Sequence, residues 1–175
     1  MKRYKHIFKD YLNDIAKKTA HPAGGSCAAL NFCMGISLIK MALNYSGVTS
    51  KNVFTGLEKL SREVFPFIDE DGILFTLLIK EKDKNRRKIL LERVQTLTYA
   101  IGDNCNKLVM DAHGMRAKIK KSLESDFYTG LKLIESALYA SIQNLEANQH
   151  LFSIDNTQKI SHLKAYLKKF KPWLR

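Results

Sequence analysis

The chain is short of the residues that break or cross-link a fold. Its 175 residues hold three prolines (22, 66 and 172), nine glycines, three cysteines and one tryptophan. With no Gly/Ser-rich stretch there is no linker at which to divide it. The reading is therefore one helical domain over residues 1–175, large enough to bury a core. Cys27, Cys33 and Cys105 cannot all pair and lack metal-ligand spacing, which excludes a disulfide scaffold; they read as reduced core thiols of a cytoplasmic protein. The histidines at 6, 21, 113, 150 and 162 show no ligand spacing either, so no metal is expected. No stretch alternates apolar and polar residues as a half-buried strand does. Phosphate-loop and nucleophile-elbow signatures are also missing. The charged N-terminus has no apolar run behind it, so no signal peptide is read.

Positive charge, by contrast, is plentiful: the formal net charge is +12, gathered over 80–88, 107–121 and 159–175. Without an aromatic-interleaved sheet motif or finger spacing, a nucleic-acid module is disfavoured. A solvated basic surface, or one that attracts a polyanionic small molecule, remains. Against this background residues 21–39 stand out, since no charged side chain occurs before Lys40. Pro22, Gly24 and Gly25 make a turn there, and Gly24, Gly25, Ala28, Ala29 and Gly35 let a backbone or a flat ligand come close. The turn leaves free N–H groups at a helix start, suited to an anionic or hydrogen-bond-accepting ligand. The run is marginally long enough for a bilayer. With Pro22, Ser26, Asn31 and Ser37 in it, it reads as a helix buried in protein, with no membrane involved.

Helical spacing dominates the rest. The expected order begins with an amphipathic helix over 4–20, carrying Tyr4, Ile7, Phe8, Tyr11, Leu12 and Ile15 on one side, followed by the buried helix over about 26–45. A turn with Ser50 as N-cap leads to a long helix over 51–81, kinked at Pro66. Next come a helix over about 86–112 ended near Gly114, a Lys-rich connection over 115–123, and a helix begun by Ser125-Asp126 running to about 151. Asp155 or Asn156 caps a last helix to about 170, and Pro172 forbids its extension. The fold class is all-α: an up-and-down bundle of about six helices.

Asp71 is the sharpest single residue. It falls inside an apolar stripe of Leu60, Val64, Phe67, Ile68, Leu74, Phe75 and Leu78. Burial there would raise its pKa, as in a proton-shuttling carboxyl group; a helix N-terminus or an arginine could equally satisfy it. Asp69 and Glu70 project elsewhere. On the fifth helix Gly130, Leu133, Ala137 and Ala140 make a small-residue face flanked by Ser141, Asn144 and Asn148. Two asparagines so placed could grip the amide edge of a heterocycle, or bond to a neighbouring helix. Ser125-Asp126 reads first as a capping pair.

Together these pieces resemble the cyclodeaminase/cyclohydrolase family acting on tetrahydrofolate, which includes the C-terminal domain of formiminotransferase-cyclodeaminase. The family's Pro-Gly-Gly-Gly-Ser turn is similar to Pro22-Ala23-Gly24-Gly25-Ser26. Its Asp-x-Asp-Ala-x-x-Phe segment is similar to Asp69-Glu70-Asp71-Gly72-Ile73-Leu74-Phe75, and its Ser-Asp helix start and paired asparagines to Ser125-Asp126 and Asn144/Asn148. The resemblance covers about 8–152, in order. It implies a helical bundle that dimerises and a reaction at the one-carbon unit of a tetrahydrofolate, polyglutamylated or not, which is the substrate; no cofactor is expected beyond it. Either 5-formimino-tetrahydrofolate closes with loss of ammonia, or the 5,10-methenyl form opens with water to 10-formyl-tetrahydrofolate. Asp71 would be the acid/base. Gly24, Gly25, Ser26, Asp69, Ser125, Asp126, Asn144 and Asn148 would bind substrate or wall the pocket. The chain departs from the pattern at four places. Ala23 replaces a glycine, where a positive φ would be strained. Gly72 replaces an alanine, Ile119-Lys120 a Gly-Asn pair, and Leu97-Thr98-Tyr99 a Val-Pro-Leu element. The alternative is a divergent, non-catalytic helical binding or scaffold member of the same fold.

Overall fold

The structure, a computed structural model, describes residues 4–170. Seven α-helices carry nearly all of them: α1 (Lys5–Ile15), α2 (Gly24–Tyr45), α3 (Lys51–Val64), α4 (Phe67–Lys80), α5 (Lys84–Arg116), α6 (Glu124–Phe152) and α7 (Thr157–Phe170). No strand occurs among the described residues. The all-α expectation therefore holds, with one helix more than about six.

The additional helix arises at Pro66. The expected single helix over 51–81 is two, because a proline ring in mid-helix removes a donor and clashes with the preceding turn. α3 ends at Val64, and Pro66 takes the N-cap position of α4. Several expected ends also shift. Ser50 occupies the N-cap position of α3 but makes no side-chain cap bond. Gly114 does not stop α5; it is helical, and the helix runs on to Arg116. At the other end of α5, Asp83 accepts the Arg86 N–H at 2.9 Å, a cap the sequence reading passed over. α6 starts at Glu124, with Leu123 as N-cap, so Ser125 and Asp126 lie inside its first turn and Ser125 is not the cap. Asp155 does cap α7, accepting the Thr157 N–H at 2.8 Å, and that bond holds its carboxyl below the usual value. The neighbouring Asn156 instead ties α5 to α6, donating to Gln95 Oε1 at 2.6 Å and to the Leu145 carbonyl. Pro172 lies outside the described residues.

α2 is the axis of the bundle. It is apolar on all sides, as a helix must be when other helices surround it, and it touches α3, α4, α5 and α6. By length and composition it could cross a membrane, yet over half of that stretch is buried inside this fold. Phe32, Ile36, Ile39 and Leu43 of α2 and Phe127, Leu131, Ile134 and Leu138 of α6 supply much of the core. The two helices run antiparallel and close at Gly35 and Gly130. A Cβ on Gly35 would lie 2.7 Å from the Gly130 carbonyl oxygen, and one on Gly130 2.8 Å from that of Gly35. α1 is the exception to the packing. None of its residues is buried, and Ile7 and Leu12 are 58% and 61% exposed.

Candidate active site

The antiparallel pairing brings the N-terminus of α2 beside the last turns of α6. α4 crosses the same place, because its apolar stripe must face α2. Asp71 travels with that stripe and is buried, as are Leu74 and Leu78. Its carboxyl group lies directly against the backbone of Gly25: a Cβ there would be 2.2 Å from Oδ1 and 2.3 Å from Cγ. The N-cap of α2, Ala23, offers no side-chain bond to the helix start. Asp71 fills that role from another helix, accepting the backbone N–H of Ser26. Burial raises its pKa above the ordinary carboxyl value, while the Ser26 N–H and the charge of His21 pull it part of the way back. The two readings of Asp71 from sequence are thus both met: it is satisfied by a helix N-terminus, and desolvation still dominates.

A cavity of about 200 Å³ opens here, with Gly24, Gly25, Asp71, Thr98, Asn144 and Asn148 among its walls. The Asn144 carboxamide sits over Gly24, where a Cβ would come 3.1 Å from its Oδ1. Asn148 is buried one turn further on, whereas Ser141 donates to the Ala137 carbonyl of its own helix and takes no part. Phe75 closes one side and packs edge-on against Phe152, ring centroids 6.2 Å apart. Ser26 contributes only its backbone; its hydroxyl is buried without a hydrogen-bond partner. Ala23 has φ −137°, so no strain follows from its replacing a glycine. Of the other departures, Thr98 does line the cavity. Lys120 lies at the far end of α2, donating from its backbone to Ser46 Oγ and from Nζ to the Tyr45 carbonyl.

Asp69, Ser125 and Asp126 are not part of this cluster. Asp69 is exposed on α4. Asp126 precedes Asn144 by eighteen residues on one continuous helix, which is about 27 Å. Within one chain, Ser125 and Asp126 are therefore at the opposite end of the bundle. The sequence reading missed three neighbours of Asp71. Tyr11 of α1 has its hydroxyl buried beside Cys27, and burial, Cys27, Asp69 and Asp71 together push its pKa up to about 12. Cys27 is itself raised by burial. His21 packs over Gly72. Only their closeness in sequence to the glycine turn (His21, Cys27) or to an apolar stripe (Tyr11) could have pointed to them.

All three cysteines are free, and burial raises each thiol, which leaves them protonated and poorly nucleophilic. Among the described residues no group of three or more His, Cys, Asp or Glu is placed to hold a metal ion. A larger groove of about 510 Å³ runs between α3 and α5 over Leu57, Leu108 and Met115, but its charged residues are exposed. Among the described residues, Asp71 is a charged side chain that is withdrawn from water and faces an open space.

The fold and the site define an all-helical bundle with a carboxyl group seated on a glycine-rich helix start. The profile of the formiminotransferase-cyclodeaminase family matches residues 7–169, and the chain belongs to that family. No curated protein matches it by sequence. Its fold is similar to the crystal structure of formiminotetrahydrofolate cyclodeaminase from Thermotoga maritima. That match has a TM-score of 0.76 and 15% identity, and covers 95% of this chain and 88% of the other.

Proposed function

We propose that this protein binds a tetrahydrofolate derivative and acts on its one-carbon unit, with Asp71 as the acid/base. The observation that carries the reading is the Asp71 carboxyl, dehydrated, anchored by the Ser26 N–H and facing a cavity walled by Asn144 and Asn148. A cavity this small takes the pterin head and its bridging carbon, since whole drug-sized ligands need about 300–1,000 Å³. The rest of the substrate lies outside, where its anionic glutamate tail, single or multiple, meets a chain of net charge +12.

In formimino closure, N10 of the protonated 5-formimino form bonds to the formimino carbon and its proton moves to the departing nitrogen. That nitrogen, already carrying two protons, leaves as ammonia, and the positive charge stays on the methenyl bridge. Asp71 carries the N10 proton. In methenyl hydrolysis, water adds to the bridging carbon, the bond from that carbon to N5 breaks, N5 gains one proton and one is released. The same carboxyl takes the proton from water and returns one to N5. A raised pKa suits either direction, because the group can hold or give a proton near neutrality. Asn144 and Asn148 orient the pterin through its amide edge. The exposed apolar residues of α1 support a homodimer within the same reading, and the free thiols a cytoplasmic location. In a dimer, Ser125 and Asp126 would contribute across subunits or not at all.

The test is to follow loss of 5,10-methenyl-tetrahydrofolate by its near-ultraviolet absorbance, and its appearance from the 5-formimino form. Wild type should accelerate one of them, and Asp71→Asn should lose at least 10²-fold. Equal rates for the two proteins would remove Asp71 from the mechanism. If neither reaction exceeds buffer, the non-catalytic binding member is the better account; the small cavity and Thr98 in its wall favour that reading.

A further inference from the structure

The segment that leads into α2 places an imidazole over Gly72, the residue next to Asp71 on α4. Thr19 Oγ1 donates to the His21 carbonyl at 3.0 Å, and Pro22 behind it is buried. The His21 ring then fills the space that a side chain at position 72 would occupy: a Cβ on Gly72 would fall 2.1 Å from Nδ1 and 2.5 Å from Cγ. Gly72, where the Asp-x-Asp-Ala pattern has alanine, is therefore the residue that admits the ring. His21 Nδ1 is buried and has no hydrogen-bond partner, so its place is set by packing over Gly72. The ring is close enough to Asp71 for its charge to act on the carboxyl.

We propose that His21, wedged over Gly72, is a positioning residue for Asp71, and that imidazole and carboxyl work as one acid–base pair in the site. The proposal rests on the tetrahydrofolate reading above for its reaction, not for the pair itself. The titratable groups around the carboxyl are His21 from the connecting segment, Tyr11 from α1, Cys27 from α2 and, through Tyr11, Asp69 of the same helix. α5 and α6 bring Thr98, Asn144 and Asn148, which do not titrate. Of this set His21 is the group that can carry a positive charge. A positive charge there favours the ionised carboxyl, so the ring behind the cavity wall sets how readily Asp71 holds its proton.

The experiment titrates the Asp71 carboxyl carbon by NMR in the ligand-free protein. Replacing the ring by His21→Gln should move the carboxyl midpoint up, because a favourable charge is lost. Gly72→Ala should do the same with His21 still present, by pushing the ring away, and should melt several degrees lower than wild type from overpacking. Adding Gly72→Ala to His21→Ala should cause neither change, since the space is then free. An unchanged midpoint in folded His21→Gln, or a Gly72→Ala protein as stable as wild type, would overturn the pair. In the methenyl assay the acid limb of the pH–rate profile should follow the carboxyl midpoint in each variant; a limb that stays put while the midpoint moves would overturn the positioning role. A midpoint that moves in a protein that turns over neither folate form upholds the pair and refutes the reaction, so the two failures are distinct.

Discussion

Adding one methyl group at Gly25 should silence the site while leaving the bundle standing. The new Cβ would lie 2.2, 2.3 and 2.5 Å from Oδ1, Cγ and Oδ2 of Asp71. Ordinary contact begins near 3.4 Å, so the carboxyl group must retreat by about 1 Å to a normal van der Waals separation. It is buried on a short side chain, and retreat breaks its bond from the Ser26 N–H. A misplacement of about 1 Å in a reacting group can cost roughly 10²-fold in rate, and this is the loss expected in kcat/KM for Gly25→Ala. Stability should fall less dramatically. Overpacking costs about 1–3 kcal/mol, offset in part by up to about 1 kcal/mol of helix propensity, so the melting temperature should drop by only a few degrees. The assay is the methenyl or formimino absorbance change, with circular dichroism to verify the helices. A double mutant sharpens it. If the methyl acts through Asp71, adding Gly25→Ala to Asp71→Asn should cost little beyond the single change, because the two residues are in contact and their effects are not additive. Wild-type turnover by Gly25→Ala, or fully additive losses in the pair, would refute the assigned role of the carboxyl.

Two further outcomes follow from the same packing. Because burial raises Asp71 in the folded chain, the unfolded state binds fewer protons between the two pKa values. Stability on this account is full below the unfolded value and is lost as pH rises through the folded one. Asp71→Asn, whose amide oxygen can still accept the Ser26 N–H, should therefore melt higher than wild type at pH 7 and converge with it near about pH 4; a lower melting point at pH 7 would contradict the burial account. In thermal melts Gly35→Ala should destabilise by about 1–3 kcal/mol, since its methyl meets the Gly130 carbonyl and a backbone cannot step aside. Gly56→Ala, in the middle of α3 with open space around it, should instead gain about 1 kcal/mol.

Much of the fold was legible because helical periodicity is local. The apolar run of α2, the stripe around Asp71 and the long spacing of α6 each declare a helix and its buried face without reference to anything distant. The errors lie where local signals compete. Pro66 reads as a kink in a continuous stripe, yet the ring leaves no acceptable helical turn, and α3 and α4 part there. Gly114 reads as a stop, but with open space around it the helix simply continues. Ser125 reads as a cap, while Leu123 takes that position and the acidic Glu124 and Asp126 occupy the first turn.

The site was legible only in part for a related reason. Asp71 announces itself because a carboxylate inside an apolar stripe is a contradiction that one helix alone displays. Which groups meet it depends on how three helices cross, and no spacing within α4 encodes that Gly25 and Asn144 arrive at the same point. Chain order does not measure distance either: Ser125-Asp126 and Asn144/Asn148 share a helix, and within one chain a straight helix keeps them some 27 Å apart. Composition and periodicity, then, determined that this chain is a helical bundle with one dehydrated acid on an inner face, because burial is written residue by residue. The tertiary structure decided that the acid caps the glycine turn of α2 and faces a cavity walled by two asparagines. Contacts between distant segments are chosen by close packing, here the approach of α2 and α6 at two glycines, and packing is a property of surfaces that exist only once the helices have met.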